Sequence, residues 1–208
     1  MTLITLVVGI IASGILLYGA SINENENIKN PIKSKKNWFF LAGASLMLVY
    51  AILSFYSSSL TLFFVLLQSL AVLSGILMML NTPDKIDLPI ISLIGTAFIY
   101  WALNNYTGIN TIFFIIGLTG TGLGYAFEMG TIRRYLCLSF GTLLIAIFSF
   151  IEQAWIFFFL KSFFSAFSFI YLYKIIKRQK TTHPIILKIL NKLKKAEGEK
   201  AGHISDVA

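Results

Sequence analysis

Two polar side chains stand in otherwise apolar surroundings and are the first candidates for chemistry: Lys161, in FLKSF at 159–163, and Gln68, in LLQSL at 66–70. A charge inside a membrane-length apolar run costs about 2.5 to 3.5 kcal/mol on insertion scales, so it needs a partner, water or a ligand. In a polar cavity the Lys161 ammonium would bind an anionic or hydroxylated solute. The alternative is that its stem snorkels to the surface, roughly 10 Å away at 1.5 Å per residue. Gln68 carries an amide that must be satisfied wherever water is absent, by a solute or by a neighbouring helix. Thr119 and Thr121 add hydroxyls within IIGLTGTGLG at 115–124. That stretch also holds Gly117, Gly120, Gly122 and Gly124, and VVGIIASG at 7–14 holds Gly9 and Gly14. Glycines at such spacing let helices approach closely, as the GxxxG at 120 and 124 would, or let a helix bend and expose carbonyls to a solute.

Other chemistries lack their residues. Glu128 and Glu152 fall at opposite ends of one apolar run, too far apart for a catalytic carboxylate pair. Glu128 is placed to pair with Arg133 or Arg134, and Glu152 borders the hairpin at the other end. The two histidines, His183 and His203, both lie in the tail, and Cys137 is the single cysteine, so neither a metal set nor an internal disulfide is expected. A lysine in a seventh span could carry a retinal Schiff base, but no mid-span acid offers a counter-ion. No enzyme activity and no cofactor are expected.

The elements that must position these residues follow from composition. Of 208 residues 57% are hydrophobic and 12% charged, against about 25% charged in a soluble domain. Residues 38 to 173 hold only eight charges. Apolar runs of about 20 residues, enough to cross ~30 Å of hydrocarbon, lie at 2–20, 38–57, 60–80, 88–104, 109–127, 133–151 and 154–174. The fold class is therefore all-α, a polytopic membrane protein of seven transmembrane helices. The first run has no basic leader and Tyr18 at the minus-three position for cleavage after Ala20, so it reads as an uncleaved span.

Sixteen of the 17 Lys and Arg fall in the segments 21–37, 81–87, 128–134 and the tail; the seventeenth is Lys161. Because basic loops stay cytoplasmic, the N-terminus is expected outside and the C-terminus in the cytoplasm. Trp38 and Tyr135 at inner ends, and Tyr56, Trp101, Tyr106 and Trp155 at outer ends, fit aromatic belts. Net charge +8 thus marks membrane orientation rather than nucleic-acid binding. Beyond Pro184, the residues Ile185, Ile186, Ile189, Leu190 and Leu193 recur at helical spacing among lysines, an amphipathic helix for anionic inner-leaflet lipids. Asn105-Tyr-Thr107 is a glycosylation sequon in an outer loop, a common pattern.

The chain also matches itself. VVGIIASG aligns with IIGLTGTG at 115–122, Lys35 and Lys36 with Arg133 and Arg134, Gly43 with Gly141, and Gln68 with Lys161. The expected units are 1–80, a linker helix in 81–108, a second three-helix unit in 109–174, and a basic tail in 175–208. This 3+1+3 parallel repeat resembles the SWEET, PQ-loop and PnuC-type superfamily, and most nearly the bacterial inner-membrane family typified by YgjV. The resemblance rests on the glycine-bearing first helix of each unit, the Arg133 and Arg134 pair, FIEQAWIFFFLKSF at 150–163, and the basic exit at Lys174, Lys177 and Arg178. No Pro-Gln dipeptide occurs, and helices 1 and 5 lack proline. The resemblance implies a small-solute carrier in a plasma or inner membrane, with Lys161, Gln68, Thr119 and Thr121 binding a small polar or anionic solute. The alternative is a ligand-free scaffold or assembly subunit; whether copies associate is left open.

Overall fold

The computed structural model describes residues 3–22, 31–57, 59–80, 82, 84–106, 108–127 and 131–177. The tail helix, Arg178 and Glu128 lie outside these residues. Among the described residues there are seven α-helices: α1 Leu3–Ser21, α2 Lys35–Tyr56, α3 Leu62–Leu80, α4 Asp84–Asn104, α5 Ile109–Ala126, α6 Ile132–Ile151 and α7 Trp155–Lys177. Each is long and apolar enough to cross a membrane, and no strand occurs among the described residues. A multi-pass membrane protein is thus the class that the helices define.

Local signals start and stop these helices. Ser34 and Thr131 cap α2 and α6 through their hydroxyls, which accept from the backbone N–H of Asn37 and Arg134; each satisfies a donor the helix leaves orphaned. The α6–α7 turn is tight: the N–H of Ala154 reaches the carbonyl of Ser149 at 2.8 Å, and Gln153 takes a positive φ of 55°. Helix α4 begins earlier than the apolar run at 88 suggests, and Asp87 in its first turn suits the positive end of the helix dipole. Pro89 sits inside it.

Hairpin packing dominates. Among α1 to α6 the most extensive contacts are α5 with α6, then α1 with α2. Glycine makes both possible. A Cβ on Gly141 would lie 2.5 Å from the Thr121 backbone nitrogen, and one on Gly43 2.6 Å from Leu16 Cγ. Gly9, Gly117, Gly120 and Gly124 are likewise crowded, whereas a Cβ on Gly14 would meet nothing within 4 Å and one on Gly122 would lie 3.7 Å from Ile91 and 3.3 Å from Leu70.

The two ends of the bundle differ. One end carries the α2, α4 and α6 N-termini with the basic residues Lys35, Lys36, Lys85, Arg133 and Arg134; it is called here the basic end. At the far end, Phe63, Phe64, Phe114, Phe148 and Phe157 from α3, α5, α6 and α7 form a buried ring cluster. Phe64 stacks on Phe157 at 4.6 Å between centroids, and Phe63 meets Phe114 at 4.8 Å and Trp101 at 5.3 Å. Tyr50 extends the cluster to α2, 5.7 Å from Phe157.

Candidate functional site

At the basic end the helices surround a cavity of about 250 Å³. Its wall takes residues from all seven helices: Gly19 from α1, Lys36, Asn37 and Phe40 from α2, Ser74 and Met78 from α3, Asp87 and Ile91 from α4, Tyr125 from α5, Arg134, Tyr135, Leu138 and Thr142 from α6, and Phe164, Phe167, Ser168 and Tyr171 from α7. Thr82, between α3 and α4, and Phe127, after α5, complete it. The polar groups are held in place by specific contacts. The Thr82 hydroxyl bonds the Asp87 carboxylate. Arg134 donates from Nη1 to the Phe127 carbonyl at 2.8 Å, closing the end of α5. Lys36 lies 5.2 Å from the centre of the Tyr171 ring, which stacks on Tyr135 at 5.6 Å, an attraction between a cation and a ring face. Among the described residues of the wall, the charged side chains are Lys36, Asp87 and Arg134.

The floor is hydroxylated. Ser74 donates to the Leu70 carbonyl at 2.8 Å and Thr142 to that of Leu138 at 2.5 Å. Such back-bonding uses the hydroxyl proton on the helix itself and leaves oxygen lone pairs for whatever occupies the cavity.

The residues singled out from sequence are distributed as follows. Lys161 is buried, with 5% exposure, on the α7 stripe that also carries Phe157, Phe164, Ser165 and Ser168. Ser165 ties this stripe to α6 by donating to the Ser139 carbonyl at 2.9 Å. Gln68, 1% exposed, lies on the buried face of α3, and its Nε2 has no hydrogen-bond partner. Neither lines the cavity; both lie beyond its floor, toward the aromatic cluster. Thr121 is buried against Gly141 and donates to the Gly117 carbonyl at 2.7 Å. Thr119 is on the exposed face of α5 and bonds its own helix at Ile115, 2.8 Å away, so the structure does not bring it to the other three.

Some wall residues have no counterpart among those candidates. Tyr135, expected as a belt anchor, is buried and stacked on Tyr171 because its ring points inward between α6 and α7. Asp87 was visible only as a loop charge. Ser168 could have been found from its spacing, seven residues after Lys161 on the same helical face. Glu152 borders the far-end hairpin as expected, accepting from Asn110 Nδ2 at 2.6 Å. Among the described residues no cluster of histidine, cysteine and acid could hold a metal.

No known protein family, curated protein or solved structure matches this chain. Its class is accordingly defined by its own helices.

Proposed function

We propose that the protein is a small-solute carrier built from two parallel three-helix units, α1–α3 and α5–α7, joined by α4, with the basic end in the cytoplasm of a plasma or inner membrane. One observation carries this reading: the cavity wall draws on corresponding positions of the two units. Under the internal alignment Lys36 corresponds to Arg134, Asn37 to Tyr135, Phe40 to Leu138, Ser74 to Phe167 and Met78 to Tyr171, and every one of these residues lines the cavity. A duplicated bundle with its axis along the membrane normal places its solute path on that axis, where equivalent residues face each other. The stacked pair Phe64 and Phe157 corresponds in the same register and supports the same axis toward the far end.

In this reading the cavity opens to the cytoplasm and the phenylalanine cluster closes the outside. Rocking of one unit against the other would exchange the two conditions. The test is solute-dependent stabilisation of the purified protein across sugars, nucleosides, vitamins, amino acids and organic anions, followed by uptake of any hit into proteoliposomes. Binding at a hundredfold excess over Kd adds about 2.7 kcal/mol of apparent stability. A hit that is also taken up supports the carrier; absence of any stabilising solute would replace it by the ligand-free scaffold.

A further inference from the structure

We infer that the transported solute bears an anionic oxygen group, a carboxylate or phosphate, and that Lys161 and Gln68 receive that group together beyond the cavity floor. The inference rests on the carrier reading and names the chemistry of its solute.

The two side chains are at one level. Phe64 and Phe157 are stacked at 4.6 Å, and α3 and α7 run the same way, since Ser74 and Ser168 further along them both line the cavity. Gln68 and Lys161 each follow their stacked phenylalanine by four residues, about one turn or ~6 Å along the helix, on the same face. They therefore lie at one level between the aromatic stack and the cavity.

Each presents a nitrogen donor with no partner. The Gln68 amide nitrogen has no partner, and among the described residues no hydrogen bond or ion pair reaches Lys161. An ammonium has three donors and can accept nothing, and burying it is costly unless a negative partner offsets the lost hydration. Asp87 is engaged by Thr82 at the basic end and Glu152 by Asn110 at the far end. The missing group is one that accepts from two nitrogens at once and carries negative charge. A carboxylate or phosphate does both, and a neutral hydroxyl does not balance the charge.

The same chemistry could reach the site as a free solute or as a lipid headgroup. The experiment separates them. Apparent melting temperature of the protein in a neutral maltoside is measured with acetate, benzoate and phenylphosphate, and with their neutral partners acetamide, benzamide and phenol, at constant ionic strength. A second arm adds phosphatidylglycerol or phosphatidylcholine. Expected is a concentration-dependent rise with at least one free anion and none with its neutral partner. Gln68→Leu should weaken the response at least tenfold and Lys161→Met should abolish it. Lys161→Arg, which keeps the charge, should retain it, and Lys161→Met should stay folded with an unchanged or higher ligand-free melting temperature. A rise with phosphatidylglycerol alone would overturn the free solute in favour of a headgroup site. Equal responses to neutral partners, a response that survives in Lys161→Met, or none to any anion would overturn the inference. A neutral solute that is taken up with Lys161→Met unimpaired would overturn it while leaving the carrier standing.

Discussion

At the far end, five phenylalanines from four helices sit ring against ring; at the basic end the same helices, with α1, α2 and α4, surround a cavity edged by Lys36, Asp87 and Arg134. The aromatic end gains dispersion contact from every ring. The basic end is lined by hydroxyls and charges that keep hydrogen-bonding capacity for an occupant. Side-chain type alone, on continuous helices, thus makes one end a packed plug of rings and leaves the other hollow.

The sharpest break of this comparison comes from the plug. Phe64→Ala should lower stability by about 3 to 5 kcal/mol, the range for a buried aromatic truncation, read by reversible unfolding in mixed micelles. Ser74→Ala, at the cavity floor, should change it by no more than about 0.5 kcal/mol. Similar losses from both would mean that the two ends are equally packed. Next in size, Gly141→Val should cost about 1 to 3 kcal/mol through overpacking against the Thr121 backbone. Gly14→Ala, where nothing lies within 4 Å, should be neutral or stabilise by up to ~1 kcal/mol; a thermal melt of the pair compares them directly. Asn110→Ala removes a bond to a carboxylate at the far end and should cost about 1 kcal/mol, less than its charge suggests because the pair is only part-buried. Smallest of all, Thr119→Val should leave both stability and solute response within error, about ±0.5 kcal/mol; a lost solute response would return Thr119 to the site.

The seven helices were legible in the sequence because uncharged runs of membrane length admit no other reading, and because the basic segments mark every second turn. Boundaries moved by a few residues where polar residues can extend a helix beyond the apolar run, as Lys35 and Asp84 do. Lys161 and Gln68 were legible for the same reason, as rare polar groups in apolar runs, and both are buried. The cavity was not legible. Its wall depends on which faces of seven helices converge, and hydropathy gives a weak facial signal when every face is apolar. Thr119 and Thr121 illustrate the loss: two residues apart in one motif, they point in opposite senses around α5, one against Gly141 and the other outward. Tyr135 misled in the reverse direction, since a tyrosine near a span end suits a belt equally well as a stacked wall.

The backbone contact at Gly141 carries a mechanical meaning. With the Thr121 main chain close against Gly141 and Asn110 bonded to Glu152 past the end of α6, sliding or splaying α5 against α6 would break contacts at two levels of the hairpin. Compliance must sit elsewhere along the chain. Helix α4 offers it: Pro89 has no N–H, which removes one rung from its hydrogen-bond ladder at the point where the first three helices hand over to the last three.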